Sequence, residues 1–101
     1  MTINREFKES PMAQGVDEIV AYNLTTTPWG SSPTSPVVKI YDSAGTDVSS
    51  TNLTGSATVN GDVITTPAVK TLTNGNRYKM QVKFVSGGNT YEAFGYIDAE
   101  E

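Results

Sequence analysis

The sequence contains no cysteine and no histidine. Without cysteine there can be no disulfide frame and no thiolate nucleophile. Without histidine the chain lacks the commonest general base and metal ligand, and the side chain that titrates near neutral pH. Zinc or copper centres built from His and Cys are excluded. Charge is also scarce: seven Lys and Arg face eleven Asp and Glu, for a formal net charge of −4. A mildly acidic chain is repelled by phosphate backbones, so nucleic acid is not an expected partner. No apolar run approaches the ~20 residues of a membrane helix, and Met1 to Gly15 carries no apolar export segment. The expectation is a soluble protein made in a cytoplasm, with no membrane partner. The two Asn-Leu-Thr sequons, at Asn23 and Asn52, then read as ordinary strand and loop residues.

What the 101 residues do contain is Thr, Ser, Asn and Gly in abundance. That composition disfavours helix and favours strands and turns. Turn signals recur about every 8–12 residues, the spacing of an all-β domain. Residues 1–15 read as a polar N-terminal arm whose only large apolar side chains are Phe7 and Met12. Residues 16–98 read as the domain. A first strand spans about Val16 to Thr25, with apolar residues on both faces, so alternation does not settle which face is buried. Pro28, Pro33 and Pro36 mark a long loop, since none of them can sit in a central strand. Trp29, the single tryptophan, lies in that loop. It either plugs the open end of the domain or stands out as an anchor for a partner. Val37 to Asp42 predicts a strand, Asp42 to Gly45 a turn, and Asp47 to Leu53 a weak edge strand. Asn60-Gly61-Asp62, between Ala57-Thr58-Val59 and Val63-Ile64-Thr65, predicts a hairpin. Tyr78, Met80, Val82 and Phe84 alternate with Lys79, Gln81 and Lys83, the pattern of a half-buried antiparallel strand. Thr90 to Ile97 closes the domain as its hairpin partner. About seven strands are expected.

The most specific local pattern is Leu72-Thr73-Asn74-Gly75-Asn76-Arg77-Tyr78. In immunoglobulin-like sandwiches this spacing opens a core strand. Leu72 packs under the turn, Gly75 accepts positive φ, and the Tyr78 hydroxyl returns to an upstream backbone group. These three residues are read as structural. The fold class expected is therefore an all-β, antiparallel, immunoglobulin-like β-sandwich with an extended N-terminal arm.

No residue stands out as catalytic. Asp17 and Glu18 point to opposite faces of a strand and cannot converge on one substrate. Asp42 and Asp47 bracket a turn, but no dense acidic loop surrounds them to hold Ca²⁺. A serine has no histidine to activate it, and Gly87-Gly88 is a hairpin tip rather than a phosphate loop. No enzyme, metal or cofactor is expected. The last strand is more informative. Tyr91, Ala93, Gly95 and Ile97 share one face; Glu92, Phe94, Tyr96 and Asp98 share the other. With aromatics on both faces, one set lies outside the core as a docking surface, or else the arm or loops cover it. The interface candidates are Phe7, Met12, Trp29, Phe94 and Tyr96.

The order of these segments resembles small immunoglobulin-like proteins encoded among the virion genes of tailed bacteriophages, of fibre–tail adaptor, head–tail region or decoration type. The resemblance rests on Asp17 to Tyr22, Thr27-Pro28-Trp29, Val37 to Asp42, Val59 to Ile64 and Leu72 to Phe84, within residues 7–97. It implies a non-enzymatic virion protein, assembled in the bacterial host cytoplasm, that contacts capsid, neck or tail subunits in a symmetric assembly. The arm would order on docking. The alternative is a binding module for a glycan or a cell-surface receptor.

Overall fold

A computed structural model describes residues 5–7, 10–27 and 29–101. Its organising unit is the long hairpin that the alternating sequence predicts. Strand β8 (Arg77–Ser86) buries Tyr78, Met80, Val82 and Phe84. It pairs antiparallel with β9 (Asn89–Glu100) over ten residues, from Arg77↔Asp98 to Ser86↔Asn89. Strand β3 (Thr34–Tyr41) lies antiparallel on the far side of β8, and β1 (Met12–Gly15) lies parallel to β9. The sheet order is β1-β9-β8-β3. Two smaller sheets complete the chain. One has order β2-β6-β5, from β2 (Asn23–Thr25), β5 (Thr58–Asn60) and β6 (Val63–Thr65). The other pairs β4 (Leu53–Thr54) with β7 (Ala68–Val69). The protein is mostly β, with one helical turn, α1 (Ser49–Asn52), among the described residues.

A single cluster of buried side chains joins these sheets. Ile40, Met80, Val82, Phe84, Ala93 and Ile97 meet Leu24, Ile64, Val69 and Leu72. The faces that alternation left open are now assigned. On the first strand Val20, Tyr22 and Leu24 turn inward, and Ile19 is 66% exposed. On β9, Ala93, Gly95, Ile97 and Ala99 turn inward, and Glu92, Phe94, Tyr96 and Asp98 turn outward.

Several segments depart from the sequence-based expectation. The first strand is regular only over Asn23–Thr25, with an isolated bridge from Val20 to Val69. The break falls where the Thr66 hydroxyl oxygen accepts the Tyr22 N–H at 3.0 Å and the chain changes partner from β7 to β6. Of residues 47–53, only Leu53 enters a strand, as the first residue of β4. The Asp47 carboxylate accepts both the backbone N–H and the hydroxyl of Ser49, which nucleates a turn instead of a ladder. The hairpin at residues 60–62 forms, but its two-residue loop is Gly61-Asp62, because Asn60 pairs with Val63. Only Gly61 takes positive φ there, the arrangement of a II′ loop. Pro36 lies inside β3, which is tolerated because β3 is an edge strand and is bulged between Thr34 and Val37. Pro28 and residues 1–4, 8 and 9 of the expected arm lie outside the described residues.

Residues 5–7 and 12–15 lie in the sheet, not ahead of it. Phe94 donates its N–H to the Arg5 carbonyl, and Phe7 donates to the Phe94 carbonyl at 2.7 Å. The Phe7 ring lies where a side chain at position 95 would go: a Cβ on Gly95 would meet the ring at 2.5 Å. Gly95 is thus a close-approach glycine. The Ser10 hydroxyl accepts the Tyr96 N–H at 2.9 Å. Gln14, 1% exposed, ties β1 to the other side of the core. Its amide donates to the Val69 and Glu18 carbonyls, and its oxygen accepts the Tyr22 hydroxyl at 2.7 Å. A buried amide with all these bonds made is a strong positional constraint.

Candidate functional site

The inward period of β8 and β9 fixes what their outward period must be. The outer face of the four-stranded sheet is a grid of cross-strand rows. Tyr41 stands opposite Lys79, which stands opposite Tyr96. Lys39, Gln81 and Phe94 form the next row, and Val37, Lys83 and Glu92 the one beyond. Arg77 and Asp98 close the other end with the one ion pair among the described residues, at 2.6 Å.

Five of the chain's seven cations, Arg5, Lys39, Arg77, Lys79 and Lys83, lie on this face or against its rings. The aromatics hold three of them. Lys79 lies 4.8 Å and Arg5 5.8 Å from the centre of the Phe94 ring, and Arg77 lies 5.4 Å from that of Tyr96. Phe94 and Tyr96 meet edge to face at 5.7 Å. Such contacts stabilise an ammonium or guanidinium by about 0.5–1 kcal/mol at exposed sites. The Arg77 hydrogen bonds hold the Asp98 carboxyl below its ordinary range. A shallow groove of about 510 Å³ runs over this face, lined by Tyr41, Asp42, Arg77, Lys79, Gln81 and Tyr96. A second hollow of about 280 Å³ continues it between Lys39 and Glu92.

Of the interface candidates, the structure brings Phe94 and Tyr96 together on this face. Phe7 is buried in the core, at 6% exposure. Met12 is half-buried beside it and lines a 190 Å³ hollow with Tyr22, Asn23 and Leu24. Trp29 is half-buried and meets Phe84 edge-on at 6.2 Å, with Tyr91 at 5.7 Å from the same ring. Its indole Nε1 is buried with no partner among the described residues. Leu72 and Tyr78 are buried, Gly75 has φ +85°, and the Tyr78 hydroxyl accepts the Thr73 N–H at 3.0 Å.

Sequence reasoning missed Lys39, Arg77, Lys79 and Lys83 as a surface. The signal was present: they are the polar positions of the best-patterned strand and its neighbour. Alternation says that such residues share a face, but not which strands lie side by side. The acidic turn is accounted for locally. Asp42 accepts the N–H groups of Ala44 and Thr46, and Asp47 those of Ser49. Among the described residues no three acidic side chains gather to hold a metal ion. No protein-family model matches this chain, and no curated protein matches it.

Proposed function

We propose that this chain is an immunoglobulin-like β-sandwich that serves as a non-enzymatic structural protein of a tailed-phage virion. It would act as a decoration, adaptor or head–tail completion protein, joining capsid, neck or tail subunits through protein–protein contacts. The observation that carries the binding part is the outer face of the β1-β9-β8-β3 sheet. A net acidic protein gathers five of its seven cations there, around three half-buried aromatics. Aromatic and Arg side chains in a polar setting are what protein interfaces are enriched in. The Tyr78–Thr73 hydrogen bond supports the immunoglobulin-like part. The phage setting rests on the order of sequence segments.

The test is mass spectrometry of purified particles from a strain whose prophage carries this gene, with copy number measured against the major capsid protein. A fixed ratio supports the proposal, and its value separates a capsid-wide decoration from a ring of neck subunits. Absence from intact particles overturns it.

The groove between Tyr41 and Tyr96 favours a second reading, a glycan-binding module. Sugars stack on free ring faces, and here Phe94 and Tyr96 already carry cations. Because Trp29 packs on Phe84, the probe for this reading is chemical-shift change at Tyr41 and Tyr96 on glycan titration. No change at saturating glycan removes it.

A further inference from the structure

The charges on the outer face are sorted by strand. The outward residues of β9 are Glu92, Phe94, Tyr96, Asp98 and Glu100, whose only charges are carboxylates. The outward residues of β8 and β3 are Arg77, Lys79, Gln81, Lys83, Val37, Lys39 and Tyr41, whose only charges are cations. On the far side of β9 the acidic side continues. Glu18 folds its carboxylate back over β1, where it accepts the Gly15 N–H at 2.7 Å. Four carboxylates therefore lie on the β9/β1 half and four cations on the β8/β3 strands, with Asp42 and Asp47 in the turn at one end of the cationic half. Arg5 and Glu6, both at the β9 edge, add one of each sign. Within one molecule this sorting is poorly satisfied: Lys39, Lys79, Lys83 and Glu100 make no ion pair with a described residue. The aromatics are divided between them: Phe94 and Tyr96 lie on β9, in the carboxylate half, and Tyr41 on β3, at the outer edge of the cationic half.

We infer that two copies of this chain pair face to face through this sheet, about a twofold axis that runs along the strands between β8 and β9. Rotation about that axis exchanges left and right. It lays the β8/β3 lysines of each copy over the β9/β1 carboxylates of the other, twice in one interface. This is the self-complementarity that an isologous contact requires. The inference rests on the proposal that this face is the binding surface, and it names a second copy as an occupant. From strand spacing and rise, the face presents about 400 Å² per copy. At about 800 Å² for the pair, this falls below the range of stable specific interfaces, so the pairing is weak, forms at concentrations on the order of 0.1 mM and weakens with salt. In a symmetric particle, local concentration exceeds this.

The test is sedimentation velocity of the full chain at low and physiological salt, with two charge-reversed variants. One is Lys79→Glu with Lys83→Glu; the other is Glu92→Lys with Glu100→Lys. Lys83, Glu92 and Glu100 are exposed and Lys79 is half-buried on the outer face of the sheet, and far-UV circular dichroism checks the fold. The single variants Lys83→Glu and Glu100→Lys give a gentler pair. The wild type should dimerise, with a dissociation constant raised about tenfold by 0.15 M salt. Each reversed variant alone should be monomeric. An equimolar mixture of the two should dimerise, because both contacts in the mixed pair are attractive again. A wild type that stays monomeric at about 1 mM in low salt, or a dimer indifferent to the reversals, overturns the inference. If the wild type is monomeric but Lys79→Glu with Lys83→Glu is lost from particles, the self-pairing falls and the virion reading stands. If the mixture rule holds and the protein is absent from particles, the reverse is true.

Discussion

The two faces of β9 are built on opposite rules. Inward it presents Ala93, Gly95, Ile97 and Ala99, mostly small residues; outward it presents Phe94 and Tyr96 among carboxylates. Size usually runs the other way in a half-buried strand, where bulk belongs inside. The inward side is small because other residues fill it. Phe7 lies against Gly95, and the neighbouring β8 supplies Met80, Val82 and Phe84. The outward side is large although the core does not need it. The inner face thus answers to packing, and the outer face is the surface proposed to bind. Substitutions should separate accordingly: inner ones move stability, and outer ones move association.

The largest expected loss of stability is at Phe7. Phe7→Ala empties a buried aromatic site and should cost about 3–5 kcal/mol in chemical denaturation. It also tests whether the first residues belong to the domain, because an appended arm would leave the midpoint unchanged. Gly95→Ala should cost about 1–3 kcal/mol through the clash with the ring. In the Phe7→Ala background most of that penalty should disappear, giving a coupling of the two positions in a double-mutant cycle. Two independent, additive losses would mean that Gly95 is required for another reason.

Next comes Gln14. Replacement by Ala leaves the Val69 and Glu18 carbonyls and the Tyr22 hydroxyl without their partner, at a cost of about 1–3 kcal/mol. The same site gives a pH prediction. Burial, and then the nearby Glu18 carboxylate, push the Tyr22 hydroxyl from 10.0 to about 12. The folded state therefore holds its proton in a range where the unfolded chain has lost it. Stability from this group is fully present below about pH 10 and is lost as pH rises toward about 12. Tyr22→Phe should flatten that part of the stability profile. An unchanged slope would assign it to other tyrosines. Tyr78→Phe should cost less, about 1–1.5 kcal/mol, because the Thr73 N–H loses its acceptor. A melting curve unchanged by it would mean that water replaces the hydroxyl there.

The same contrast explains what the sequence made legible. The β8–β9 hairpin was plain, because seven residues of alternation from Tyr78 to Phe84 and a Gly87-Gly88 turn all agree. The Leu72, Gly75 and Tyr78 pattern was equally plain, because it is local. The short strands were not. β4 and β7 are two residues each, and they exist because Asn52 donates its amide to the Lys70 and Thr71 carbonyls across the fold. Phe7 read as an interface candidate on an N-terminal arm for the same reason. Only the meeting of residues 7 and 95 shows that a glycine on the last strand leaves room for it. The outer surface was half legible: Phe94 and Tyr96 drew notice as aromatics. The cations beside them looked like ordinary solvated positions until β3, β8 and β9 were placed side by side.

The smallest expected effect on stability is at Lys83, and it sharpens the comparison most. Lys83 lies on the same strand as the buried Val82 and Phe84, one position from each, and is exposed. Lys83→Glu should change unfolding free energy by no more than about 0.5 kcal/mol, as surface positions do. Its neighbour Glu92 would feel a like charge across the ladder, which favours the upper end of that range. Association should respond much more, because the reversed side chain faces every partner that approaches the sheet. The opposite sheet provides the control. Asn23, Thr25, Thr58 and Asn60 are exposed on β2 and β5 and carry no charge, so Thr58→Glu adds charge to a surface with none of the sorting seen on β9 and β8. Losses of association in proportion to the charge added, two units for Lys83→Glu and one for Thr58→Glu, would mean that net charge alone governs binding. Loss from Lys83→Glu only would locate the contact on the outer face of the four-stranded sheet.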